Sequence, residues 1–270
     1  MNIEQSLNEH ISSNRFRLPA PPDIYLRILE VVENEGSLQE VESILKYDAS
    51  ITARLIQVAN SPALRGSGKV SSALSALTRL GTRLGTKLTS SLVLGLSMRD
   101  RFSLKGAGLK DVAAKVWDRG VYAGVAASVL AKELRPDYKF SPEVALTAGI
   151  MHNIGYLPIL DFFSQNQLEV ARFQEVEHMA GELGARILST WSLSQDLIEC
   201  TALSSSIPMA PDKDTTYFDL VALVLLAKHS DSEEVNKSYG DKVGIDVEGV
   251  TVVLSEYSKE FEELITLIGI

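Results

Sequence analysis

The chain has 270 residues, of which 45% are hydrophobic and 23% charged, a globular composition that excludes a largely disordered polymer. Its net charge of −9 argues against wholesale electrostatic binding of nucleic acid or anionic lipid. One cysteine, Cys200, excludes an internal disulfide and a cysteine-built zinc cluster, which suits a reducing cytoplasm. The opening Met-Asn-Ile-Glu-Gln has neither the basic segment nor the apolar run of a signal peptide, and the longest apolar stretch, 220–227, is too short to span a bilayer. The expected location is the cytoplasm, with no membrane partner.

In chain order, the first clear helix start is Ser37-Leu38-Gln39-Glu40, a capping box in which the serine and the glutamate each accept an orphan amide proton. Asp48 is placed to cap a helix over 49–59 that turns Ile51, Leu55 and Val58 inward. Within 51–101, eight basic residues face the single acid Asp100, a net of +7 that leaves −16 for the remainder. A four-residue near-repeat, Thr78-Arg79-Leu80-Gly81, Thr82-Arg83-Leu84-Gly85 and Thr86-Lys87-Leu88, lines Arg79, Arg83 and Lys87 along one side of a helix. That stripe reads either as a surface for an anion or acidic partner, or as a solvated face offsetting the acidic remainder. No aromatic side chain interrupts it, so base stacking is unsupported and a nucleic-acid partner is disfavoured.

Further amphipathic segments are predicted near 83–97, 111–133, 179–191, 194–205 and 217–230. Ser141-Pro142-Glu143 supplies an N-cap, a first-turn proline and a first-turn acid for a helix running to about 152. No sustained alternation suits a half-buried strand, so the fold class is all-α. Gly106 and Gly108, where the charge balance turns from basic to acidic, mark the expected internal joint near 104. Cys200, Trp117 and Trp191 sit in helical apolar patterns and are expected in the core. No phosphate-cradling glycine loop, dinucleotide fingerprint or nucleophile elbow is present.

Three N-terminal stretches, 18–22 (LPAPP), 47–62 (YDASITARLIQVANSP) and 70–81 (VSSALSALTRLG), resemble the HDOD or HD-related output domains of bacterial signalling proteins. So do 116–119 (VWDR), 148–155 (AGIMHNIG) and 181–191 (GELGARILSTW) further on. The resemblance implies a multi-helix HDOD fold: a small N-terminal helical bundle, 1–104, packed on an HD-like bundle, 105–270.

HD hydrolases hold divalent metals with histidines and a His-Asp pair on facing helices, so that the metal polarises phosphoryl oxygen and activates water. This chain contains no His-Asp dipeptide. By resemblance His152 keeps its place, the ligand aspartate has become Asn153, and the first metal histidine falls at Arg119, where a cation would repel a metal. The later histidine positions fall near Ala180 and at Ser204-Ser205. Of the four histidines, His178 lies beside Glu177 and His229 near Asp231, so a skewed metal site built from these with His152 stays open. Arg119 could instead pair with an anion in the former metal pocket, or form a structural ion pair.

The expected function is therefore a non-catalytic regulatory or signal-transduction module acting through contacts with signalling proteins or through ligand sensing, with no cofactor and no metal. Arg119, His152 and Asn153 are the candidate ligand-binding residues, and Arg79, Arg83 and Lys87 the candidate partner surface. The alternative is a metal-dependent phosphohydrolase of the HD superfamily acting on a nucleotide or other phosphoester. Partner identity, input signal and oligomeric state are not legible in the chain.

Overall fold

The computed structural model describes residues 2–13, 22–60, 68–84, 108–133, 140–206, 217–229, 239–243 and 247–256, with single positions between 89 and 98 and at 245 and 265. All regular structure among them is helical, as composition and periodicity imply. Asn2 caps α1 (Ile3–Ser12), whose Ile3, Leu7 and Ile11 recur every four residues and are buried. Pro22 precedes α2 (Asp23–Glu33). The capping box at Ser37 and Glu40 forms in both directions and opens α3 (Leu38–Leu45). Asp48 accepts from the Ile51 amide at 2.9 Å and starts α4 (Ala49–Ala59), burying Ile51, Leu55 and Val58 as expected. α5 (Ala73–Leu84) lays Ala76, Leu77 and Leu80 on α3 and α4.

The second group of helices begins with α6 (Leu109–Glu133), followed by α7 (Pro142–Met151), which the Ser141 side chain caps as predicted. Then come α8 (Tyr156–Gln165), two 3-10 turns over Val170–Glu175 and Glu177–Met179, α9 (Ala180–Thr190), α10 (Gln195–Leu203), α11 (Tyr217–His229) and α12 (Val247–Glu256). Trp117, Trp191 and Cys200 are all in the core. Burial, reinforced by the charges of Asp219 and Glu199, pushes the Cys200 thiol far up, so it is an inert apolar filler.

Helices α2 to α5 pack on one another, and α6 to α12 do the same around the extensive α6–α7 contact. A continuous apolar cluster runs through both groups. Two features depart from the pattern reading. α1 packs on α8, with the His10 ring 5.2 Å from that of Phe162, so the first helix lies with residues beyond 104. And α11 is not a surface helix with one wet face: Phe218 to Leu225 are buried on all sides. Its one charge in that run, Asp219, is 1% exposed and is held by Lys242 at 2.9 Å. Of the expected joint at 103–108, residues 103–107 lie outside the described residues, and Gly108 is described, with φ +80° just before α6.

Candidate functional site

Glycines set the geometry. At the α6–α7 crossing a Cβ on Gly124 would stand 2.6 Å from the Leu146 carbonyl oxygen, one on Gly120 would stand 3.0 Å from that of Ile150, and one on Gly149 would collide with Gly124. The two backbones therefore touch, and the 116–119 turn of α6 is drawn against the end of α7. There Asn153, only 3% exposed, donates its side-chain amide to the Val116 carbonyl at 3.0 Å. Next to it, at the start of α8, a Cβ on Gly155 would collide with the Ala180 carbonyl oxygen, which seats α8 against the first turn of α9.

His152 caps α7 and is 1% exposed. Its Nδ1 lies 2.6 Å from the Gly149 carbonyl oxygen, which can only accept, so the proton resides on Nδ1 and Nε2 carries a lone pair. That Nε2 is buried with no hydrogen-bond partner among the described residues. Burial foremost, then the positive charge of Arg119, holds the imidazole neutral by lowering its pKa to about 3, with the Gly149 bond opposing. Arg119 sits exposed on α6, one turn beyond Val116. Its charge also reaches Tyr156, a half-buried phenol stacked on Phe173 at 5.7 Å. Burial raises the Tyr156 pKa, Arg119 lowers it, and Glu177 raises it. The Gly181 amide donates to Ser205 Oγ at 3.0 Å, joining the two regions where the later metal histidines are implied to fall.

The structure thus gathers Arg119, His152 and Asn153, and adds Tyr156 and Glu177, which the motif reading missed. Tyr156 is separated from His152 only by the tight turn between α7 and α8, so chain proximity could have signalled it, whereas Glu177 lies in a 3-10 turn more than twenty residues on. The skewed metal site does not assemble from what is described. His178 is exposed and faces Glu4 of α1 at 3.8 Å, whereas His152 is buried; the His229 side chain and Asp231 lie outside the described residues. The residues that the resemblance sets at a metal position do not fit a divalent cation: besides one imidazole lone pair they supply an amide that donates to Val116 and the positive charge of Arg119. Among the described residues no three His, Cys, Asp or Glu side chains come together to hold one.

The basic stripe is also revised. Arg79 is half-buried and spends its guanidinium on backbone oxygens, Ala59 at 3.0 Å and Gly68 at 2.6 Å, with Asn60 Oδ1 at 3.4 Å. Asn60 in turn grips Val70, donating to its carbonyl at 2.7 Å and accepting from its amide at 2.8 Å. Arg79 is a clamp at the end of α4 rather than a free surface charge. The Arg83 side chain and Lys87 lie outside the described residues.

The family model for the HDOD domain matches residues 18–207. The chain belongs to the HDOD family. No curated protein matches it. Solved structures similar to this HDOD protein include one from Shewanella amazonensis, provisionally named a metal-dependent phosphohydrolase, at 23% identity and TM-score 0.78 over 99% of this chain and 96% of that one. An HDOD domain protein of unknown function from Geobacter sulfurreducens aligns at 19% identity and TM-score 0.68, covering 98% and 97%. A Marinobacter aquaeolei protein, provisionally named for signal transduction, aligns at 19% and TM-score 0.68 over all of this chain but 61% of its own. At these identities the likeness establishes the all-helical fold. No helix among the described residues of the HDOD protein is long and apolar enough to cross a membrane.

Proposed function

We propose that this HDOD protein is a non-catalytic signal-transduction module, working through protein contacts or by sensing a ligand. The observation that carries this reading is the use made of His152 and Asn153, the dipeptide that the resemblance aligns with a metal-binding pair. Asn153 is spent on tying α7 to the Val116 carbonyl, and His152 Nδ1 on the Gly149 carbonyl. A hydrolytic metal needs several protein ligands and an open coordination position. Here the neighbouring groups are an amide donor and the Arg119 cation, which oppose a second positive charge.

The competing reading, an HD-type phosphohydrolase, draws support from the unpartnered Nε2 lone pair of His152 and from the provisional name of the Shewanella structure. The test is elemental analysis of untagged protein, with assays on phosphomonoesters, nucleotides and cyclic dinucleotides in added manganese, magnesium or iron. The expected result is far less than one metal per chain and no turnover, in the wild type and in Asn153→Asp alike. Stoichiometric metal with turnover that disappears in His152→Ala overturns the proposal in favour of the hydrolase.

A further inference from the structure

The N-terminal motif residues that the His152 site leaves unused build a second feature. Pro22 and Asp23 at the start of α2, Tyr47 and Asp48 before α4, and Ile51 within it surround a surface cleft of about 300 Å³. Its floor is apolar, from Ile24, Ile44 and Ile51, and is large enough for one branched or aromatic side chain. On its rim the Tyr47 ring is 82% exposed, an unusual state for an aromatic side chain on a folded surface. Arg27 stands 5.6 Å from that ring's centroid. A tyrosine and an arginine beside a cleft with an isoleucine floor are the residue types that dominate binding energy at protein interfaces.

Charge selects the kind of occupant. The charged residues lining the cleft are Asp23 and Asp48 against Arg27, a net of −1, and all three are exposed or half-exposed. Asp48 uses Oδ1 to cap α4, and Asp23 makes no hydrogen bond or ion pair among the described residues. We infer that this cleft receives a basic peptide segment of a partner protein, with one apolar side chain in the isoleucine floor and flanking lysines or arginines over Asp23 and Asp48. The inference rests on the reading of the chain as a protein-contact module and names its contact surface.

The test uses the full-length protein and three fluorescein-labelled 11-residue peptides read by anisotropy. The first has a central leucine flanked on each side by lysines; the second replaces the lysines with glutamates, and the third replaces the leucine with glycine. The lysine-leucine peptide is expected to bind, weakening steeply as sodium chloride rises. Its affinity should fall about tenfold in Tyr47→Ala and in Asp23→Lys, with the melting temperature unchanged in Tyr47→Ala and lowered only slightly in Asp23→Lys, which reverses the first-turn acid of α2. No binding of that peptide, equal binding by the glutamate or glycine peptide, or full affinity in Tyr47→Ala overturns the proposal. None of the cleft residues belongs to the His152 site, so metal and turnover there are scored separately from peptide binding here.

Discussion

Replacing Arg79 with methionine removes the clamp at the end of α4 while keeping most of the apolar stem. Two of its bonds, to Gly68 O at 2.6 Å and Ala59 O at 3.0 Å, are short enough to count fully, whereas Asn60 Oδ1 at 3.4 Å contributes little. Hydrogen bonds from a charged donor contribute about 1.5–3 kcal/mol each, and half-exposure places these at the low end, so the expected loss is about 3 kcal/mol. For a chain of this size that corresponds to a fall of roughly 6–12 °C in melting temperature. Arg79→Lys should recover only part of it, since an ammonium cannot span the same oxygens with a planar fork. Arg79→Glu should be the worst, setting a carboxylate against carbonyl oxygens. Thermal and urea unfolding followed by circular dichroism supply the numbers. Amide exchange at Val70, bonded to Asn60, should quicken in the same order. Lys46→Ala, which loses only an exposed 3.7 Å pair with Glu42, is the control and should change stability by less than about 0.5 kcal/mol. An Arg79→Met protein that melts within a degree of wild type would refute the clamp and restore the free-stripe reading.

Two more expectations concern the His152 neighbourhood and the glycines. His152 protonates near its ordinary 6.5 when unfolded but only near about 3 when folded, so between those values the unfolded chain binds the extra proton. Its stability contribution is complete above pH 6.5 and is lost as pH falls toward 3, at about 1.4 kcal/mol per pH unit, and His152→Gln should flatten that slope in urea titrations; parallel slopes would count against a neutral buried imidazole. Gly155→Ala, which meets the Ala180 carbonyl, should cost about 3 kcal/mol or prevent folding, whereas Gly81→Ala, with open space around its Cα in α5, should stabilise by about 0.4–1 kcal/mol. Equal melting temperatures for the two alanine variants would show that the α8–α9 approach is not tight.

Where structure depends on neighbours in sequence, the chain was readable. The Ser37 box, the Asp48 cap and the Ser141-Pro142-Glu143 start each involve groups three or four residues apart, and each forms as read. α11 was harder because a helix buried on every side has no polar stripe to reveal its orientation, and the one charge in its buried run, Asp219, is held by Lys242, 23 residues away in the chain. Arg79 was misread for a different reason: its partners are main-chain oxygens at Ala59 and Gly68, which any residue type would supply. That His152 is followed by Asn153 and not by an aspartate is visible in the sequence, but the carbonyl that accepts the Asn153 amide depends on how close the glycine crossings let the helices come.

The docking of α1 on α8 bears on how the polypeptide leaves the ribosome. Ile3 and Leu7, both fully covered in the finished protein, emerge well before Phe162, the ring beside His10, which is synthesised about 150 residues later. Until then this helix has an oily face and nowhere to put it, a state that invites chaperones or aggregation. Helices α2 to α5 can associate early because their partners are close in the chain; α1 must wait, so a helix made before them finds its place after them.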